Sequence, residues 1–171
     1  MQERCKIGVV IGNANSPHAV NIMKGIDQAS KECDVQLMYF MNVSSPYTAQ
    51  LYPPDTSIGW DYQKSAIYDY ARYIKADVLI MTYGMMSIFM KSDYGKQYLE
   101  YFRNVPCVLI NEQTDRPNWT SIIVDNYNGM YELVEHLVRD HGYHNFAFLA
   151  GPPGNTDACQ RKRAFLDVMK K

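Results

Sequence analysis

A chain of 171 residues is long enough for one full-sized domain with a substantial core. Hydrophobic residues at 47% and charged residues at 20% exclude a disordered or fibrous protein. The net charge of −1, from 17 basic against 18 acidic residues, argues against a basic field for nucleic acid, and no apolar run approaches membrane-spanning length.

The chain opens on an apolar run, Cys5 to Ile11, that ends in Gly12-Asn13-Ala14-Asn15-Ser16-Pro17. This predicts a buried strand, a turn, and a helix capped by Ser16 with Pro17 in its first turn. Ala19, Ile22, Met23, Ile26, Ala29 and Cys33 then recur at three- and four-residue steps, the stripe of an amphipathic helix. Val35 to Met41 reads as a second strand, followed by a long loop holding Pro46, Pro53, Pro54 and Gly59. A helix is expected from near Trp60, with Ile67, Tyr70, Ala71 and Ile74 on one face.

Asp77 to Thr82 reads as the third strand, broken by Tyr83-Gly84. A helix over Tyr94 to Phe102 leads to a fourth strand, Cys107 to Ile110, and a fifth is expected at Ile122-Ile123-Val124. A helix from Asn126 to about Asp140 carries Met130, Leu133, Val134, Leu137 and Val138 and stops at Gly142. Phe146 to Leu149 reads as a sixth strand and Asp157 to Met169 as the last helix. Apolar strands alternating with helices predict an α/β fold, a doubly wound parallel sheet covered on both sides. There is no internal repeat or low-complexity segment.

In such sheets ligands bind beyond the carboxyl ends of the strands. The residues at those ends are Asn13, Asn15 and Ser16; Tyr83 and Met85; Asn111 and Glu112; Asp125 and Asn126; and Asn155, Asp157 and Arg161. Amides, carboxylates and aromatics suit a polyhydroxylated or heterocyclic ligand. Each has a structural alternative: Asp125 as a helix cap, Asn13 and Asn15 as turn residues, Tyr83 and Met85 as core, and Arg161 as a surface residue. The basic run Arg161-Lys162-Arg163, with Lys170 and Lys171, reads as a solvated helix face.

The histidine spacing at 136, 141 and 144 puts Gly142, a helix stop, among the imidazoles, and the usual metal motifs are absent. No metal site and no cofactor is expected. Cys5, Cys33, Cys107 and Cys159 form no CxxC and read as small buried hydrophobes in a reduced compartment. Without a nucleotide-binding loop, a nucleophile elbow or an evident acid–base pair at the strand ends, catalytic residues are not assigned.

The stretch VDNYNGMYELVEHLVRDHGYHNFAFLAGPPGNTDACQRKRAF resembles the ligand-sensing domain of the LacI/GalR repressor family through Asp125, Asn126, Gly129, His136, Leu137, Gly142, Ala147, Phe148, Leu149, Gly151 and Arg161. Asn15, Pro17, Gly25 and the Ala76–Ile80 strand extend the similarity towards the amino terminus. The resemblance implies a periplasmic-binding-protein-like, type I (Rossmann-like) lobe, with residues 1–144 as the first lobe and 145–171 as the start of a truncated second. It implies that Arg161, flanked by Asn155 and Asp157, grips a ligand oxygen, and that the first loop and Tyr83 to Met85 line the other wall.

The family's helix-turn-helix is not present, so no direct contact with nucleic acid by this chain is expected. The resulting expectation is a non-catalytic, cytoplasmic sensor of a sugar-like or nucleoside-like effector, forming a homodimer away from membranes. The Tyr-rich segment around Trp60 to Tyr73 is similar to sensors joined to GGDEF or histidine kinase outputs. The alternatives are a LacI-family regulator fragment acting mainly in dimerisation, a solute-binding protein, and a small α/β enzyme.

Overall fold

The computed structural model describes residues 4–43, 62–86, 92–151 and 155–171. The proline-containing segment expected as a long loop, Trp60 and residues 152–154 lie outside these residues. Two compact units are present, Met1–Ile123 and Val124–Lys171.

The first unit is built on five parallel strands: β1 (Lys6–Ile11), β2 (Gln36–Met41), β3 (Val78–Met81), β4 (Cys107–Ile110) and β5 (Trp119–Ile122). Their order in the sheet is β2-β1-β3-β4-β5, so the winding direction reverses between β1 and β3. Alternation along the strands divides the core between the two faces. Val10, Leu79, Met81, Cys107 and Leu109 belong to one buried cluster, whereas Val9 and Ile11 belong to the other.

Helix α1 (Pro17–Cys33) covers the Val9/Ile11 face through Ala19, Ile22, Met23 and Ile26. Ser16 caps it, its Oγ accepting from the Ala19 N–H at 3.2 Å, as its position before Pro17 predicts. Ala29 and Cys33 continue the stripe but border an open apolar groove of about 250 Å³. Helix α2 (Tyr62–Tyr70) tightens into a 3₁₀ turn at Ala71–Tyr73. Together with α4 (Ser92–Tyr101), it covers the opposite face with Tyr68, Ala71, Tyr98 and Phe102. The Tyr98 hydroxyl donates to the Tyr68 carbonyl at 2.8 Å, tying the two helices together. Between them lies the single turn α3 (Tyr83–Met86), which replaces the expected simple break after β3.

Four expectations need correction. Tyr70 is exposed, and Tyr68 takes the core position, because the buried helical face runs through Ile67, Tyr68 and Ala71. The fifth strand begins at Trp119, while Ile123 and Val124 are exposed. Trp119 sets that register: its ring is buried and its Nε1–H donates to the Val105 carbonyl at 3.1 Å. Of the four cysteines only Cys107 is buried; Cys5 precedes its strand and Cys33 and Cys159 face outwards.

The fourth correction concerns Phe146 to Leu149, which is not a strand among the described residues. A strand exists only through its ladder, and no neighbouring strand pairs with this segment. The apolar side chains find partial substitutes: Phe146 and Phe148 pack on Phe165 at 6.2 and 4.6 Å between ring centroids, but Leu149 is 99% exposed.

The second unit pairs α5 (Asn126–Arg139) with α6 (Thr156–Met169). Val134, Ala158, Ala164 and Val168 are its buried apolar residues, and Leu133, expected on the buried stripe, is exposed. The Tyr127 hydroxyl donates to the Asp167 carboxylate across the pair at 3.0 Å. Gly142, at φ +64°, ends the α5 segment in the left-handed conformation glycine favours.

Candidate functional site

The reversal between β1 and β3 opens the sheet's carboxyl edge, where loops diverge to either side. Polar residues that end neighbouring strands fix these loops. The Gly12 N–H donates to Thr82 Oγ1 at 3.0 Å, and the Thr82 N–H to the Val10 carbonyl at 3.0 Å. The Asn13 N–H donates to Asn42 Oδ1 at 2.7 Å, and the Ala14 N–H to the Asn42 carbonyl at 2.8 Å. Thr82 and Asn42 are both buried, so each satisfies backbone donors that water does not readily reach.

Gly12 permits this arrangement. A Cβ there would stand 2.6 Å from the Met85 carbonyl carbon and 2.8 Å from the Met86 nitrogen. Asn13 adopts φ 50°, a left-handed conformation that asparagine tolerates, and its carbonyl accepts from the Ser16 N–H at 2.9 Å. The loop therefore presents Asn15 exposed and Ser16 half-buried at the start of α1.

Across the edge, Asn111 also has a positive φ, 60°, and its Nδ2 donates to Nε2 of His18 at 2.9 Å. The structure thus joins the first loop and the end of β4 through a residue that sequence reasoning did not select. The signal was the polar second position of a helix entering from a strand-end loop. Thr82 and Asn42 were similarly missed, although each is a polar residue immediately beyond an apolar strand.

Tyr83 and Met85 are half-buried. Burial pushes the Tyr83 phenol above its usual range, and the negative charge of Glu112 adds to this. Its hydroxyl lies over Gly95, where a Cβ would approach to 2.5 Å, and its ring packs against the core. Met85 packs against the Val9/Ile11 cluster. Beside them is a cleft of about 490 Å³ lined by Tyr83, Leu109, Glu112, Thr114, Arg116 and Trp119. Arg116 is engaged there, pairing with Glu100, donating to the Leu99 carbonyl at 3.2 Å and lying 4.5 Å from the centroid of the Trp119 ring.

In the second unit, Asp125 caps α5 by accepting from the Asn128 N–H at 3.0 Å and from Asn128 Nδ2 at 2.7 Å. Those bonds hold its carboxyl below the usual carboxylate range. Asn155 caps α6 through the Ala158 N–H at 2.8 Å, and Asp157 lies in the first turn, where the helix dipole favours negative charge. Arg161 lies one turn further on and donates through Nη1 to Oδ1 of buried Asn126. Asn126 in turn donates through Nδ2 to the Val124 carbonyl at 3.2 Å. The guanidinium is thus held by a neutral amide, which orients it without neutralising its charge.

At the far end of α5, the imidazoles of His136 and His141 meet, their Nε2 atoms 3.1 Å apart. The spacing had suggested separate histidines. The chain instead curls back after the helix, with the Gly142 N–H donating to the Val138 carbonyl at 3.1 Å and the Tyr143 N–H to that of Leu137 at 3.2 Å.

The solved structures most similar to the chain include the lac repressor dimer bound to operator and the anti-inducer ONPF. The TM-score is 0.68 at 18% identity, over 99% of this chain and 52% of that one. The fold is that of a LacI/GalR-like ligand-binding domain. GanP, a glucose-galactose binding protein from Geobacillus stearothermophilus, matches with a TM-score of 0.66 at 18% identity, over 99% of this chain and 55% of that one. In sequence, the chain is 25% identical over 111 residues to the probable HTH-type transcriptional repressor ExuR of Bacillus subtilis (strain 168), covering 59% of this chain and 33% of that protein. No known family profile matches. The chain thus spans about half the length of the solved relatives and a third of the curated one. Among the described residues no helix is long and apolar enough to cross a membrane.

Proposed function

We propose that this chain is part of a non-catalytic, small-molecule-sensing domain of a LacI-type transcriptional regulator, taking a sugar or a sugar-like polyol. The observation that carries this reading is the prearranged polar loop edge at the sheet reversal; within the second unit, Arg161 is oriented by the Asn126 amide. The first offers hydrogen bonds, and the second a cationic donor, to hydroxyl or carbonyl oxygens.

The proposed ligand contacts are Asn13, Asn15, Ser16, Tyr83 and Met85 on the first unit, and Asp125, Asn155, Asp157 and Arg161 on the second. Three of them, Ser16, Asp125 and Asn155, also cap helices. Their side-chain oxygens already accept helix N–H groups. Residues 1–144 belong to the first lobe in this reading, and residues 145–171 begin the second.

A GGDEF or kinase output gains no support from the similar proteins. A repressor assignment fits better, since the lac repressor and ExuR are both regulators. The reading carries with it a cytoplasmic location and a homodimer, with the effector biasing a conformational equilibrium. A solute-binding role is the second reading, favoured by the similarity to GanP.

The experiment is thermal melting of the protein with a panel of monosaccharides, disaccharides, sugar acids and nucleosides. A true ligand raises the melting temperature, with about 2.7 kcal/mol of stabilisation at a hundred times its Kd. That shift disappears in Arg161→Ala. A cooperative melt unmoved by every compound rejects the sensing role. Sedimentation separates the two readings: a dimer supports the regulator, and a monomer with ligand bound supports the solute-binding protein.

A further inference from the structure

We propose that His136 and His141 form a surface site for a divalent transition-metal ion that prefers imidazole nitrogen, such as zinc or nickel. The site lies at the carboxyl end of α5, and the sensing role does not use it.

Geometry carries the inference. The two Nε2 atoms are 3.1 Å apart, on rings inclined at 86°. Nitrogens each about 2.0–2.1 Å from a shared ion are separated by about 2.9 Å at right-angled positions and about 3.4 Å at tetrahedral ones. The observed spacing falls between these values, so both nitrogens reach one ion once each ring rotates its Nε2 off the line that joins them.

The environment of the rings supports the same role. Nδ1 of His136 lies 2.7 Å from Oδ2 of Asp140, which places the proton on Nδ1 and turns the Nε2 lone pair outwards. A carboxylate behind a histidine is the usual arrangement for fixing a metal-binding imidazole. Asp140 is itself fixed by Arg139, through Nε at 2.9 Å and Nη2 at 3.3 Å. The His141 ring stacks on Tyr143, with centroids 5.6 Å apart and planes within 14°. In the metal-free state one proton lies between the two Nε2 atoms in their hydrogen bond. When the ion binds, that proton leaves the Nε2 pair, to a ring Nδ1 or to solvent, and both Nε2 lone pairs face the metal. Among the described residues no cluster of three or more His, Cys, Asp or Glu is arranged to hold a metal, so water completes the coordination and the ion exchanges readily.

The test is calorimetric titration of the untagged protein with Zn²⁺ and with Ni²⁺, after alkylation of the exposed thiols. The expected result is one ion per chain. Binding is lost in His136→Ala and in His141→Ala, weakened about tenfold in Asp140→Asn, and unchanged in His144→Ala. Absence of saturable binding, or unchanged affinity in both His136→Ala and His141→Ala, overturns the proposal. Imidazole NMR of the unsubstituted chain gives a second readout: Zn²⁺ shifts the resonances of His136 and His141. A shift confined to His18 and His144 also overturns it.

Discussion

Arg161 and Asn126 are 35 residues apart in sequence, yet a guanidinium nitrogen of the first donates to the side-chain carbonyl of the second. This places a cation on α6 under the control of the first residue of α5. Replacing Asn126 with Ala leaves the half-buried guanidinium without this acceptor and the Val124 carbonyl without its side-chain donor. Stability is expected to fall by about 1–3 kcal/mol in urea unfolding. Asn126→Asp keeps the contact but pairs the charge, and any ligand-induced thermal shift should shrink while the fold persists.

At the sheet edge, Gly12→Ala forces a Cβ against the Met85 backbone, which has no flexible end to yield. A loss of about 1–3 kcal/mol is expected. Thr82→Val removes the acceptor of the Gly12 N–H and should cost a similar amount, whereas Thr82→Ser, which retains the hydroxyl, should recover most of it. Equal melting of the Val and Ser variants would refute this account.

The Asp140 carboxyl is lowered from 3.8 to about 2, first by the Arg139 hydrogen bond and then by that of His136. The folded-state value lies below the unfolded one. The ionised group therefore contributes stability above about pH 3.8, and this contribution fades as the pH falls towards 2. In Asp140→Asn, the acid limb of the stability profile should flatten across that window. Stability profiles that superimpose there would contradict it.

Burial pushes the Cys107 thiol up to about 12, and it lies inside the sheet, whereas Cys5, Cys33 and Cys159 are exposed. A thiol reagent at neutral pH should modify three cysteines in the native protein and the fourth only on unfolding. Four fast-reacting thiols would show that the β4 face opens more readily than its packing implies.

Much of the first unit was legible in the sequence. The β1 run, Ser16 before Pro17 and the stripe of α1 each depend on local pattern, and each appears where that pattern places it. The ends of β1, β3 and β4 followed from the same local patterns, whereas the fifth strand lies earlier than expected and the sixth does not form. What escaped depends on distant partners. Phe146 to Leu149 has the composition of a strand, but pairing is a property of two segments, and composition describes one. The His136–His141 contact arises from the turn after a helix, whose direction a spacing rule does not specify. His18 was passed over because its partner, Asn111, lies 93 residues away.

The division of labour along the sheet edge has a consequence for how such a domain can change. Buried Thr82 and Asn42 hold the loop backbone, while Asn15 is exposed and Ser16 and Met85 are half-buried. If the proposed effector site is correct, shape and selectivity reside in different residues. New effectors can be sampled by altering the outer side chains one at a time, with the architecture that displays them left in place.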